Sequence, residues 1–235
     1  MTSKQPLARS LLCLAALTMA APGEARCRLA LALGMDISSS VSPTEYAIQL
    51  HGLAAAFRDP QVIEAVLSVP GEVVYVLPYE WSGRQQQDAI GGWTALRDAG
   101  DIAAFAERMD AHVRRYENFS TAIGTSIDFA LTAFTRLPEP CERMVIDLSG
   151  DGVNNDGPAA DTRWPDLDRA GVTLNALAIA GGDPDPVPHY LTGVIRGPGA
   201  FLIVAEGGFD DYPELIKGKL IRELGPPMLI GHLAR

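Results

Sequence analysis

Short apolar runs alternate with amphipathic segments along most of the chain. Apolar runs of about four to eight residues are typical of strands that are buried on both faces of a sheet. They predict strands at residues 28–35, 73–79, 144–148, 172–180 and 201–205. A weaker, more polar pattern at 87–93 predicts an antiparallel strand at the edge of the sheet.

Helices are predicted between these strands. The clearest start is the sequence S-P-T-E at 42–45, a capping box with proline at the first helical position. That helix should run to about Phe57 and stop before Asp59-Pro60. Further helices are predicted over 101–115, after Ser120 or Thr121 as the N-cap, over 161–170, and from Asp210 to the stop signal G-P-P at 225–227.

Apolar strands that alternate with amphipathic helices predict an α/β fold. We expect a doubly wound, mostly parallel sheet with one antiparallel edge strand and with helices on both faces. The 235 residues are enough for one such domain and short for two. We expect that domain to span 26–225 and to be followed by a flexible tail at 226–235.

Residues 1–25 are expected to be a secretory signal peptide. Lys4 and Arg9 precede an apolar run of ten residues, 11–20, which is followed by small residues suited to cleavage. The run is too short to span a membrane, and no later segment has 18 consecutive apolar residues, so membrane insertion is not expected. A buried N-terminal helix is the alternative. The expected location is outside the cytoplasm, either periplasmic or secreted.

Composition and charge limit the kinds of molecule that the protein is expected to bind. The formal net charge is −10, and the sequence has no basic cluster, so neither nucleic acid nor an anionic membrane is an expected partner. Two cysteines, Cys27 and Cys141, remain after the expected cleavage. An even pair in an oxidising compartment is a candidate disulfide, and two separate thiols are the alternative.

Oxygen-bearing side chains follow two of the predicted strands. Asp36, Ser38 and Ser40 come after the first strand, Asp151 comes after the strand at 144–148, and Thr121 precedes a predicted helix. In open parallel sheets, ligands bind at the carboxyl ends of the strands. Carboxylate and hydroxyl oxygens are hard donors that suit Mg²⁺. Hydroxyls are neutral ligands, so such a metal stays electron-poor and should accept an outside carboxylate.

These residues resemble the metal-ion-dependent adhesion site of the von Willebrand factor type A superfamily. The sequence D-I-S-S-S at 36–40 matches the first element, S-T-A-I-G at 120–124 looks like the threonine element, and D-G at 151–152 matches the last. Thr125 is a less favoured alternative to Thr121, and S-G at 149–150 replaces the more usual threonine. The resemblance covers roughly 28–224, and the W-S-G and S-G-D-G-V-N-N stretches are similar to an uncharacterised bacterial exported branch.

The resemblance implies a role for each residue of the site. Ser38, Ser40 and Thr121 would touch the metal, and Asp36 and Asp151 would hold it directly or through water. Mg²⁺ is the expected divalent cation, with Mn²⁺ or Ca²⁺ as alternatives. The implied partner is a protein or peptide with an exposed Asp or Glu, bound without catalysis. The resemblance also implies open and closed states that are linked to movement of the last helix.

The same resemblance bears on the cysteines. In this fold the strands that end at Asp36 and Asp151 are parallel neighbours. Cys27 and Cys141 lie nine and ten residues before those aspartates, so they would sit at matching height at the opposite edge of the sheet. Neighbouring strands are close enough for a disulfide, which we therefore expect.

Each element of the motif also has a purely structural interpretation. The Asp and Ser cluster at 36–40 could cap a helix, Thr121 could be an N-cap, and Asp151-Gly152 could be a turn. Asn154 and Asn155 could support the metal ligands from behind or belong to a plain loop.

Two other functions stay open at this stage. The chain could be a metal-dependent hydrolase or phosphatase on a similar sheet, or a structural scaffold without ligand function. A dehalogenase-like phosphatase would need an aspartate where Ser38 stands, and the sequence has neither a G-x-S-x-G elbow nor a glycine-rich phosphate loop.

Overall fold

The computed structural model describes residues 26–225, so the predicted signal peptide and tail lie outside it. Its strands form one sheet in the order β3-β2-β1-β5-β6-β7, and β4 also pairs with β2. The strands are β1 (Arg26–Asp36), β2 (Glu72–Trp81), β3 (Gln87–Ala89), β4 (Thr94–Leu96), β5 (Met144–Gly150), β6 (Val172–Ile179) and β7 (Leu202–Ala205).

The sheet is mostly parallel, as predicted. β1 pairs in parallel with both β2 and β5, and β5, β6 and β7 continue the parallel order. The predicted antiparallel edge consists of two short strands, β3 and β4, which both pair with β2. The chain moves from β1 to one edge and then returns to β5 on the other side of β1. That reversal of strand order places a crevice at the carboxyl ends of β1 and β5.

Helices cover both faces of the sheet, because apolar side chains of β1 point alternately to each face. Its leucines and Met35 face one apolar core, while its alanines face the other. Helices α1, α2, α3 and α7 pack on the first face, and α4 and α5 pack on the second. The helices are α1 (Pro43–Ala56), α2 (Pro60–Leu67), α3 (Ala99–Asp110), α4 (Ile123–Phe134), α5 (Trp164–Ala170), α6 (Pro186–His189) and α7 (Tyr212–Leu224).

The capping box predicted before α1 is present. Ser42 Oγ accepts a hydrogen bond from the Glu45 amide at 3.3 Å, and Glu45 Oε2 accepts one from the Ser42 amide at 2.8 Å. Asp59 has a second role that the sequence pattern did not indicate, because its side chain accepts from the Gln61 amide and caps α2.

Helices α5 and α7 begin two or three residues later than predicted, at Trp164 and Tyr212. Two other differences concern segments near the candidate site. Helix α3 ends at Asp110, because Arg114 is bound to the loop that follows β1. The prediction that Ser120 or Thr121 caps α4 is wrong: α4 begins at Ile123 without a side-chain cap. Ala122 occupies the N-cap position, and Ser120 Oγ, which lies before it, donates to Asp156 at 2.9 Å.

Cys27 and Cys141 are joined by a disulfide at the amino end of β1. Their Cα atoms are 4.6 Å apart, and the bond closes a loop with a sequence separation of 114. It lies at the edge of the sheet opposite the predicted metal site. Within residues 26–225, no helix is both long and apolar enough to cross a lipid bilayer.

Candidate metal centre

The three elements of the predicted metal site meet where the strand order reverses. Asp36 is the last residue of β1, and Asp151 directly follows β5. Thr121 lies in the segment that enters α4, and the Ala122 amide of that segment donates to the Ser82 carbonyl just beyond β2. Three adjacent parallel strands therefore bring residues that are far apart in sequence to one edge.

The loop after β1 links four of the five predicted ligands. The Ser38 amide donates to Asp36 Oδ1 at 2.7 Å, and Ser38 Oγ lies 3.0 Å from Ser40 Oγ. Ser40 Oγ donates to Asp151 Oδ1 at 2.7 Å. Ser38 thus contacts Asp36 through its backbone amide, and its hydroxyl and that of Ser40 lead on to Asp151.

Thr121, the fifth predicted ligand, lies against the loop that follows β5. An ideal Cβ on Gly152 would lie 3.1 Å from Thr121 Oγ1, so the hydroxyl packs against the residue that follows Asp151. Asn155 fixes this segment, because its side chain accepts from the Thr121 amide at 2.8 Å and its amide donates to the Thr121 carbonyl at 2.9 Å. Asn154 Oδ1 accepts from the Gly124 amide at 3.2 Å. Both asparagines hold the threonine segment against the loop after β5.

Asp36 is the electrostatic centre of the set. Its side chain is fully buried, and within the described part of the chain no group hydrogen-bonds Asp36 Oδ2. Burial, followed by the charge of Asp151, raises the pKa of Asp36 to about 8, although hydrogen bonds from Ser38 oppose the shift. Burial also raises the pKa of Asp151. A cation beside these carboxylates would offset the desolvation of their charge.

The donor set fits a small hard cation. It offers two carboxylates and three hydroxyls, which are the oxygen ligands that Mg²⁺ prefers. Among residues 26–225, no group of three or more His, Cys, Asp or Glu side chains could hold a metal. The set therefore suits an ion that accepts neutral oxygens better than one that needs several imidazoles or thiolates. Burial decreases from Asp36 to the exposed Ser40, so the site opens toward solvent.

Two residues that sequence reasoning missed shape the loop after β1. Arg114 donates to the carbonyls of Ile37 at 2.8 Å, Ser38 at 3.1 Å and Val41 at 2.9 Å. Gln49 of α1 donates to the Asp36 carbonyl at 3.1 Å. No local pattern marks either residue, because each acts on a partner that is distant in sequence.

A groove of about 650 Å³ lies beside the exposed end of the set, between α1 and the loops after β6 and β7. Glycines and alanine form much of its wall, which keeps the backbone accessible. Its lining includes Ser40 and Asp151 of the candidate site, the carboxylates of Glu45 and Asp210, and the apolar side chains Ile48 and Phe209.

Comparison with known proteins gives both a family and a fold. A sequence profile described as "Protein of unknown function (DUF1194)" matches residues 26–228. No protein with a curated description matches the chain. Similar solved structures include proximal thread matrix protein 1 of the mussel byssus with a zinc-occupied MIDAS motif, at 18% identity and TM-score 0.59 over 85% of this chain and 46% of that one.

Two further structures are similar. A von Willebrand factor type A protein from Catenulispora acidiphila has 16% identity and TM-score 0.54, over 85% of this chain and 43% of that chain. The open pilus adhesin SpaC of Lactobacillus rhamnosus GG has 12% identity and TM-score 0.56, over 84% of this chain and 30% of that chain. At these identities the similarity shows the fold, and the chain spans less than half of each of these longer proteins. The fold is therefore of the von Willebrand factor A type, as the motif resemblance implies.

Proposed function

The chain belongs to the family of unknown function DUF1194, and we propose that it is a metal-dependent binding module for proteins or peptides. In this proposal Ser38, Ser40 and Thr121 contact a divalent cation, and Asp36 and Asp151 hold it directly or through water. The ion then accepts a carboxylate from the partner. No step of covalent chemistry is involved.

The observation that carries the proposal is the buried carboxylate of Asp36. Burying an ionised carboxylate without a compensating charge is unfavourable, so such groups are paired, protonated or bound to metal. The Ser38 amide donates to Asp36 Oδ1. No group within residues 26–225 hydrogen-bonds Asp36 Oδ2. Arg114 is the one basic residue whose charge lowers its pKa, and that guanidinium is bound to loop carbonyls instead. A divalent cation would supply the missing charge.

The exposure gradient supports recognition of an outside group. Ser40 is exposed and Asp151 is half-buried, so the solvent side of the set is accessible to a partner. Neutral hydroxyls donate little electron density, so an ion that they contact stays electron-poor, and an incoming carboxylate is a ligand that such a hard cation prefers. The adjacent groove between α1 and the loops after β6 and β7 would then contact the residues that flank that carboxylate.

Mg²⁺ is the proposed ion, with Mn²⁺ and Ca²⁺ as alternatives. An all-oxygen set that includes hydroxyls suits Mg²⁺ and Mn²⁺, which keep part of their water shell. One of the similar structures is described with zinc in its motif, which supports a divalent cation in general. The proposed location is outside the cytoplasm, because the Cys27–Cys141 disulfide favours an oxidising compartment.

Water-proton relaxation of the Mn²⁺-loaded protein tests the binding role directly. A short peptide with one glutamate should displace a metal-bound water and lower the relaxation enhancement, and the same peptide with glutamine should not. Asp36→Asn protein should show no enhancement, because it holds no Mn²⁺. If Mn²⁺ binds but the glutamate peptide has no effect at millimolar concentration, the metal is structural and the proposal is wrong.

A further inference from the structure

Tyr190 is buried beside the candidate metal site, although neither the motif nor the fold similarity assigns it a role. It follows α6 in the segment between β6 and β7, and its side chain is fully buried. Among residues 26–225, none hydrogen-bonds its hydroxyl. A buried tyrosine hydroxyl without a partner is uncommon, because burial normally requires that the group be hydrogen-bonded.

The hydroxyl borders the same small space as the unpartnered oxygen of Asp36. An ideal Cβ on Gly150 would lie 2.5 Å from Tyr190 Oη and 2.8 Å from Asp36 Oδ2. Any side chain at 150 would therefore collide with both oxygens. Glycine keeps open the space in which the two groups meet.

The charge environment of Tyr190 agrees with this placement. Burial, reinforced by the negative charges of Asp36 and Asp151, raises the pKa of Tyr190 far above its usual range. A tyrosine hydroxyl carries its proton at neutral pH even without such a shift, so the group is a donor. Asp36 Oδ2, an acceptor without a hydrogen-bond partner among the described residues, borders the same space beside Gly150.

The residue before Tyr190 fixes the same segment to the site. The Asn154 amide donates to His189 Nε2 at 3.3 Å, and burial lowers the pKa of His189, so the neutral ring is an acceptor. Two adjacent residues thus approach β5 and the loop after it, Tyr190 at Gly150 and His189 at Asn154.

We propose that Tyr190 is a positioning residue for Asp36. In the metal-bound protein its hydroxyl would donate to Asp36 Oδ2 through one water molecule and hold the carboxylate in the orientation that the metal requires. Each carboxylate oxygen accepts more than one contact, so Asp36 Oδ2 remains able to face a metal or its bound water. The inference rests on the proposed metal-binding function and adds a residue to it.

Tyr190→Phe is the direct test, because it removes the hydroxyl and keeps the ring in the core. Partners that orient a metal ligand contribute about 10- to 100-fold to metal affinity, so Mn²⁺ affinity measured by calorimetry should fall about tenfold. The metal-free variant should be about as stable in urea as the wild type, because no described residue hydrogen-bonds the hydroxyl in the metal-free protein. A purely structural role would instead lower stability and leave the Mn²⁺ affinity unchanged.

Tyr75→Phe is the matched control. Tyr75 is also buried, but its hydroxyl donates to Glu139 at 3.0 Å, and Tyr75 lies near the opposite end of the sheet. Its Mn²⁺ affinity should equal that of the wild type. The paramagnetic resonance spectrum of bound Mn²⁺ should broaden in Tyr190→Phe protein and stay unchanged in the control.

The possible results distinguish the role of Tyr190 from the proposed metal binding on which it rests. If wild-type protein binds Mn²⁺ and Tyr190→Phe protein binds it equally well with the same spectrum, the role of Tyr190 is wrong and the metal site stands. If folded wild-type protein binds no Mn²⁺, both are wrong.

Discussion

Two groups of carboxylates lie at or beside the central strands β1 and β5, and their surroundings differ. Asp36 and Asp151 lie at the carboxyl ends of β1 and β5. Asp147, four residues before Asp151, meets Glu223 of α7 beneath the sheet. In each group, burial followed by a neighbouring carboxylate raises the pKa of one aspartate, to about 8 for Asp36 and in the same direction for Asp147.

The group beneath the sheet contains its own cation. Lys219 is fully buried, and its Nζ lies 2.6 Å from Asp147 Oδ1 and 2.7 Å from Glu223 Oε1. Asn175 adds a hydrogen bond to Glu223 Oε1 at 2.7 Å. Buried carboxylates that pair with an ammonium and an amide are a structural arrangement that fixes α7 on the sheet.

The carboxylates of Asp36 and Asp151 lie beside serine hydroxyls, whereas Asp147 and Glu223 contact the ammonium group of Lys219. Within the described residues, no Lys, Arg or His side chain forms an ion pair with Asp36 or Asp151. The difference teaches that the group beneath the sheet has a cation from the chain itself, whereas the group at the strand ends is the one for which we propose a cation from solution. The expected consequences can be ordered by size.

The largest effect is expected from Lys219→Met. Removing one member of a buried ion group leaves uncompensated carboxylates and destabilises a protein by about 3–5 kcal/mol. Urea unfolding should show this loss, while the Mg²⁺ affinity of the folded fraction should stay unchanged. Lys217→Met, two residues away and largely ion-paired with Glu214 at the surface, should change stability by about 0.5 kcal/mol or less. A tenfold loss of Mg²⁺ affinity in Lys219→Met would contradict the separation of the two groups.

Asp36→Asn should lower the Mg²⁺ affinity without lowering stability, the reverse of the result expected for Lys219→Met. The amide keeps an oxygen for the Ser38 amide and no longer requires a buried charge, so the metal-free protein should be as stable as the wild type or more stable. Mg²⁺ affinity should fall at least about 100-fold, which corresponds to about 2.7 kcal/mol. Calorimetry and urea unfolding of the same preparations measure both quantities. A destabilised variant with normal affinity would show that Asp36 is a structural residue.

The pKa of Asp36 predicts a pH dependence with a definite sign. A carboxyl group whose pKa rises on folding binds its proton more tightly in the folded state. Its contribution to the stability of metal-free protein is therefore largest below about pH 4 and is lost as pH rises toward about 8. The wild type should lose up to about 1.4 kcal/mol per pH unit relative to Asp36→Asn within this window.

The same proton competes with the metal. Mg²⁺ affinity of the wild type should therefore increase as pH rises from 6 to 8. Urea unfolding and calorimetry across this range measure the two trends. Equal pH slopes for the wild type and Asp36→Asn would show that Asp36 ionises normally.

Ser40→Ala should have the smallest effect. Its exposed hydroxyl contacts Ser38 and Asp151 but contributes little to the fold. Loss of one neutral metal ligand should weaken Mg²⁺ binding about tenfold, or about 1.4 kcal/mol, with stability nearly unchanged. Ser39→Ala in the same loop is the control, because Ser39 contributes its backbone amide to Phe119, and it should bind Mg²⁺ normally.

The sequence predicted the parts of the molecule that depend on local patterns. Apolar runs located the five principal strands, and S-P-T-E at 42–45 located the start of α1. The motif at 36–40 and the D-G pair at 151–152 lie at strand ends, so knowledge of a parallel sheet was enough to bring them together. The metal itself stays a prediction.

Residues whose partners are distant in sequence were not predictable in this way. Lys219 lies near the end of α7, where the sequence alone suggests an exposed lysine. It is instead fully buried, because its ammonium group pairs with Asp147 of β5. Arg114 lies in a segment with helical periodicity, but its hydrogen bonds to the loop after β1 end that helix early. Tyr190 follows a short proline-rich helix that carries no recognisable pattern.

Calorimetric titration of Mg²⁺ and Mn²⁺ into chelator-treated wild-type protein tests the central claim most directly. Saturable binding of one ion per chain is predicted, with wild-type affinity in a Lys217→Met control and none detectable in Asp36→Asn. Saturating metal, at about 100 times its dissociation constant, should also stabilise the wild type by about 2.7 kcal/mol. A folded wild-type protein that takes up neither ion would contradict the account and leave Asp36 as a buried, protonated carboxyl in a loop that caps α1.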